Sequence, residues 1–395
     1  MIAKRLALAL IGIVFALAIS ELTLRLCGCR SSALLYEYQS APFLCANPYW
    51  SMWHFANNVV EHRRSCFDAH YRTNEYGMKS PALRAGTRRI AMLGDSFIEG
   101  FGLDNEQTAA HRLEEMLGPG HQVLNFGVSG FFSTIDEVAL YENFAKFFDP
   151  EVTLLFFLNY NDLEDLLEPS KAALIDHDLR LVYPRAKSFA EIASFVQRQT
   201  PPPPTAATSH QLCLRRVVNV AWQMAGQQLQ MWLNLRWDPR HEIARPYLVD
   251  EDADMRRAWS IVEASLRHLA ELAEKQRTRL VVVSVADPYQ LDANWVRLVS
   301  LREGAPLDPA HPNKRLAEIC KRFGIRHYDM LPEVAAYVRE HGLGFPYLSF
   351  RCDRHYDRTG HELMARLLFA YLEREGLLEP RPDTPAPVAR PTALP

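Results

Sequence analysis

The chain has 395 residues, 48% of them hydrophobic and 23% charged, with 25 prolines and a formal net charge of −3. That balance excludes a mainly disordered chain, a collagen-like fibre and a multi-span membrane protein. The slightly acidic charge also argues against a partner held through its phosphates, so no nucleic-acid binding is expected.

Residues 1–30 read as an export signal. Lys4 and Arg5 precede an apolar run from Leu6 to Ile19, followed by Glu21, Arg25 and Arg30. The run is shorter than the ~20 residues of a spanning helix, and Leu22, Leu24 and Leu26 extend it toward that length. Basic residues ahead of it keep the N-terminus in the cytoplasm and send the rest outward. The expectation is an uncleaved single-pass signal anchor with a periplasmic catalytic domain. The alternative is a secreted protein, cleaved at the small-x-small site Ala16-Leu17-Ala18.

Residues 31–88 read as an irregular extension rich in aromatics and Asn. The chain has seven cysteines: Cys27, Cys29, Cys45, Cys66, Cys213, Cys320 and Cys352. An exported chain permits disulfides, and Cys45–Cys66, bracketing an aromatic segment, is the expected bridge. No Cys-x-x-Cys and no Cys/His cluster at zinc spacing occurs, so no structural metal is expected.

From Arg89 strands alternate with helices. Arg88–Leu93 predicts a strand, Gln107–Leu117 a helix stopped by Gly118-Pro119-Gly120, and His121–Asn125 a second strand. A helix over Ser133–Phe147, capped by Ser133 or Thr134, leads to the apolar strand Val152–Leu158. The alternation breaks at an insertion, 163–252, which holds the proline run 201–204 and an amphipathic stretch, Trp222–Trp237. It resumes with a helix over Asp254–Lys275, a strand Arg279–Val285, a helix Pro312–Phe323, a short strand Ile325–Tyr328 and helices Pro332–His341 and Gly360–Glu375. This predicts one α/β domain over 89–378, with a parallel sheet covered on both faces. Residues 379–395, rich in proline, read as a disordered tail.

Ligands of such sheets sit beyond the carboxyl ends of the strands. Those ends carry Gly94-Asp95-Ser96-Phe97, Asn125-Phe126-Gly127-Val128-Ser129-Gly130 and Asn159-Tyr160-Asn161-Asp162, while Asp353-Arg354-His355-Tyr356 lies near the C-terminus. These are parts for acyl transfer. Ser96 is the candidate nucleophile, His355 the base that takes its proton, and Asp353 the carboxylate that orients the imidazole. The backbone N–H groups of Ser96 and Gly130 and the side-chain amide of Asn161 are candidate oxyanion donors. His361 reads as structural and Asp357 as the cap of the last helix.

In order and spacing, these four stretches resemble the signature blocks of the SGNH/GDSL hydrolases. The resemblance covers roughly 89–162 and 255–375. It implies a flavodoxin-like three-layer α/β/α sandwich, Ser96, Gly130, Asn161 and His355 as the four named residues, and Asp353 as the third member of the triad. Tyr71 to Gly77 also looks like a segment that precedes the serine block in exported members. Two positions depart from the pattern: Asn159 stands where the third block usually has Gly, and the acid lies two residues before the His, not three. The Asp-x-His spacing, followed by Tyr356, is similar to the alginate O-acetyltransferase-like branch, where Trp follows.

Competing motifs are absent. There is no Gly-x-Ser-x-Gly elbow, no zincin pair of histidines, no Walker A and no Gly-x-Gly-x-x-Gly. The expected function is therefore a membrane-anchored serine esterase acting on a carboxylic ester without a cofactor. The alternatives are an O-acetyltransferase or deacetylase on envelope polysaccharide, and a non-catalytic carbohydrate-binding scaffold. An ester or acetylated carbohydrate is the expected substrate, the 163–252 insertion is expected to form a cap over the site, and no motif specifies an oligomeric state.

Overall fold

The computed structural model describes residues 2–26, 37–172, 174–176, 178–202, 218, 222, 225 and 244–380. Helix α1 (Ile2–Leu26) opens the chain. Among the described residues no helix is long and apolar enough to cross a membrane. The uninterrupted apolar run, Leu6–Ile19, is bounded by Arg5 and Glu21 and falls short of a bilayer's thickness.

Residues 37–72 are not irregular. They form β1 (Glu37–Gln39), β2 (Leu44–Asn47), β3 (Ser51–His54), β4 (Val59–Arg64) and β5 (Phe67–Arg72). The order β1-β4-β5 makes one antiparallel sheet, and β2-β3 makes a second. In β5 the alternation is strict: Phe67, Ala69 and Tyr71 face inward while Asp68, His70 and Arg72 face outward. The Tyr71–Gly77 stretch runs from β5 into a turn in which Asn74 Oδ1 accepts the Tyr76 and Met78 N–H groups, each at 3.0 Å.

The main sheet consists of β6 (Arg88–Gly94), β7 (His121–Gly127), β8 (Val152–Leu158), β9 (Arg279–Val285) and β10 (Arg326–Asp329). Its order is β7-β6-β8-β9-β10 and every pair is parallel. This is the flavodoxin-like order, in which the direction of winding reverses between β6 and β8. The helices of the domain follow in chain order: α2 (Ser96–Glu99), α3 (Ala109–Leu117), α4 (Thr134–Asn143), α5 (Asn159–Asp165), α6 (Pro169–Ala172), α7 (Phe189–Arg198), α8 (Ala253–Gln276), α9 (Ala293–Glu303), α10 (His311–Arg322), α11 (Leu331–Glu340) and α12 (Arg358–Arg374). Helix α9 has no counterpart among the sequence expectations.

Strand β8 shows why its apolar run is unbroken. Leu155 and Phe157 pack into the core beneath α4 and α8, while Leu154, Phe156 and Leu158 pack into the core beneath α3, α11 and α12. A strand buried on both faces has no solvent side to make polar.

The insertion divides into two parts. Phe189, Ile192 and Val196 of α7 are buried in the α4-side core beside Trp50 and Phe144, and Tyr49 Oη donates to Glu191 Oε1 at 2.8 Å. Helix α7 therefore belongs to the side layer. The Trp222–Trp237 stretch and the second half of the proline run lie outside the described residues, Trp222 and Ala225 apart, and so does the tail from residue 381.

Candidate active site

Strand β6 ends at Gly94, and Asp95 turns the chain into α2. The Asp95 carboxylate caps that helix by accepting the Phe97 N–H at 2.9 Å. This places Ser96 at the first helical position, at the switch point between β6 and β8, where its own N–H needs no intrahelical partner. Strand β8 delivers Asn161 through α5 to the same place, where Asn161 Nδ2 donates to Asp95 Oδ2 at 2.9 Å.

The base arrives from the loop before α12. Asp357 caps that helix by accepting the Thr359 and Gly360 N–H groups at 2.8 and 3.1 Å. His355 Nε2 stands 2.7 Å from Ser96 Oγ. On its other side, His355 Nδ1 hydrogen-bonds Asp353 Oδ1, which also accepts the His355 backbone N–H at 3.0 Å. The Phe97 and Phe101 rings pack against the imidazole, with centroids 5.1 and 4.5 Å away. The predicted Ser96, His355 and Asp353 thus form one hydrogen-bonded chain. His361, read as structural, is buried beside α3 and accepts the Ala109 N–H at 3.0 Å. Burial pushes its pKa down to about 3.

Gly130 follows β7 with φ of +107°, and a Cβ there would lie 2.5 Å from the Met52 methyl. A left-handed backbone and a crowded position both call for glycine. The three predicted oxyanion donors lie beyond the carboxyl ends of β6, β7 and β8, and one amide hydrogen of Asn161 goes to Asp95.

Several residues around the site were not foreseen. Glu99, fully buried, accepts the Ser129 N–H beside Gly130, and His54 Nε2 lies 3.3 Å from the same oxygen. Burial works to raise the Glu99 pKa, but His54, Lys79 and Ser129 outweigh it and hold it below its usual value. For Asp95 burial prevails and pushes the carboxyl up to about 6. Burial also raises Asp353, yet the His355 hydrogen bonds and charge, with Arg64, hold that carboxyl well below the carboxylate range. Arg64 of β4 contacts Asp353 Oδ2. Among the described residues Cys66 is bonded to Cys352 and Cys45 is a free thiol, so the expected Cys45–Cys66 bridge is wrong. Cys45 lies in β2 opposite Trp53, with its Sγ directed at the Trp53 carbonyl. No group of His, Cys, Asp or Glu among the described residues could hold a metal ion.

The strand order defines a class of fold, the flavodoxin-like α/β sandwich, and β6, β7 and β8 each end in one of the predicted blocks. No family model and no curated protein matches the chain. Solved structures similar to it include a protein assigned to the lipolytic G-D-S-L family from Desulfitobacterium hafniense DCB-2, at 10% identity and a TM-score of 0.35, covering 72% of this chain and 99% of that one. TesA matches at 10% identity and a TM-score of 0.35, covering 73% of this chain and 99% of that one. A two-domain esterase active on acetylated mannans matches at 14% identity and a TM-score of 0.36, covering 76% of this chain and 53% of that one. At such identities and scores, function has to be read from this chain's own residues.

Proposed function

We propose that the chain is a serine ester hydrolase that works through an acyl-enzyme on Ser96. The observation that carries this reading is the continuous chain from Ser96 Oγ to His355 Nε2, 2.7 Å, and from His355 Nδ1 to Asp353. With Nδ1–H committed to the carboxylate, the bare Nε2 of the neutral imidazole faces the hydroxyl. Ser96 Oγ attacks the ester carbonyl carbon while Nε2 takes its proton. The N–H groups of Ser96 and Gly130 and the Asn161 amide receive the oxyanion. Collapse expels the alcohol, which leaves with the proton from His355. Water, activated by the same imidazole, then releases the acid and frees Ser96.

Transfer of the acyl group to a sugar hydroxyl uses the same residues, with the hydroxyl in place of water. The Asp353-x-His355 spacing, similar to the O-acetyltransferase-like branch, supports an acetylated polysaccharide as the natural substrate class. We also propose an extracytoplasmic, membrane-tethered location. Lys4 and Arg5 ahead of the apolar run support it, as do the exposed Ile13, Val14, Phe15 and Leu17 of α1 and a disulfide beside the site.

The test is hydrolysis of p-nitrophenyl acetate by the purified chain, with and without oligosaccharide acceptors. Ser96→Ala should abolish release of p-nitrophenol with little change in melting temperature, and an acylated sugar in the product would mark the transferase. Retained turnover by Ser96→Ala would sink the mechanism.

A further inference from the structure

We propose that Arg64, from the N-terminal strand pair, is a positioning residue of the acid arm: its guanidinium holds the second carboxylate oxygen of Asp353 and keeps the His355 imidazole in its basic form. This rests on the reading of His355 as the base. Asp353 Oδ1 is occupied by the two N–H groups of His355, and Oδ2 by Arg64 Nη1. With both oxygens held, the carboxylate cannot rotate away from the imidazole.

The hairpin that carries Arg64 is fastened to the same loop at further points. Cys66 is bonded to Cys352, and the Phe67 and Phe350 rings lie 5.1 Å apart. The Arg64 guanidinium sits 4.9 Å from the centroid of Phe101, the ring that packs on His355. Arg64, Cys66 and Phe67 therefore grip the loop at Asp353, Cys352 and Phe350, from a segment 289 residues distant in sequence.

Charge gives the contact a chemical consequence. A carboxylate beside an imidazole favours the imidazolium, and a neighbouring guanidinium offsets that bias. The other titratable groups facing His355 are Asp95 across Ser96, His361 behind the ring and, further in, Lys79. Burial keeps His361 neutral through the working range, and Asp95 favours the imidazolium as Asp353 does. Arg64 is the cation set directly against the acid.

The experiment titrates His355 by NMR in the full chain carrying ¹⁵N-histidine, with the resonance assigned through His355→Gln. Arg64→Gln and Arg64→Ala should each raise the His355 pKa by roughly one unit, while Arg64→Lys stays near the wild-type value. The acid limb of kcat/KM should move the same way, with KM nearly constant. An unchanged His355 pKa in the two neutral variants, or an equal shift in Arg64→Lys, would overturn the proposal. If one neutral variant fails to fold, the other gives the same reading. Because the titration needs no substrate, a wild-type chain without esterase activity would defeat the proposed function and still leave the Arg64 result readable.

Discussion

Asp95 serves two groups at once, capping α2 through Phe97 and holding the Asn161 amide. Asp95→Asn keeps the shape but offers Asn161 an N–H, so the Asn161 amide must turn its oxygen inward and lose its place as a donor. kcat should fall roughly 100-fold, the scale of one lost oxyanion donor, while Ser96 stays reactive toward small phosphonylating agents. Gly130→Ala adds a methyl at a positive φ, against Met52. Met52 has a flexible end that can move, but the backbone cannot relax. Activity should drop even where a thermal melt shows only about 1–2 kcal/mol of lost stability. Asp353 carries a pH signature. Its folded pKa lies below the ordinary ~3.9, so its ionised contacts stabilise the fold above about pH 4 and that contribution is lost as the pH falls through the folded value. The stability difference between the wild type and Asp353→Asn should therefore hold from pH 7 to 5 and shrink only below about pH 4, as followed by urea titration.

Among the elements, β6, β7, β8 and β9 were legible because each holds a short apolar run closed by Gly, Asn or Pro, with both faces of the sheet buried, and β10 from its place after the Gly324 break. The antiparallel strands of 37–72 were not. They are three to six residues long, and their inner faces include His54 and His62. His54 faces the buried Glu99, and His62 Nδ1 and Tyr71 Oη share a hydrogen bond of 2.7 Å. Polar residues facing inward break the alternation that marks a strand. The cysteine pairing was hidden for a related reason: Cys45 and Cys66 are near in sequence, but topology brings Cys66 to Cys352 across 286 residues. A bridge closing so long a loop stabilises by roughly 3–5 kcal/mol. Cys66→Ser with Cys352→Ser should lower the melting temperature and, because Asp353 follows Cys352 directly, reduce kcat more than KM. A melt and a kinetic run on the same preparation check both.

For the molecule as a whole, three of the four motif blocks were readable because the α/β winding puts each at a strand's carboxyl end, and the fourth because it stands just ahead of the last helix. The sequence did not show that Arg64, His54 and Glu99 complete the surroundings, since no spacing rule links β4 to the loop before α12. The first part of the insertion contributes to the core. Ile192 and Val196 are buried on the α4 side, and Ala244 and Tyr247 pack with Trp295. The cap expected of the insertion is open to a direct test on residues 203–243. Replacing 203–243 with a Gly/Ser linker should leave hydrolysis of a small acetate ester measurable and change the preference among bulky acyl donors. Unchanged selectivity in a folded variant would assign that segment to packing or to a partner surface.

The central claim is that Ser96 is a nucleophile activated by His355, and the most direct measurement is intact-mass and peptide mass spectrometry after treatment with a fluorophosphonate. A single phosphonyl adduct on Ser96 is expected in the wild type, none in Ser96→Ala, and labelling slowed by orders of magnitude in His355→Ala. An unlabelled wild-type chain, an adduct on another residue, or equally fast labelling without His355 would contradict it.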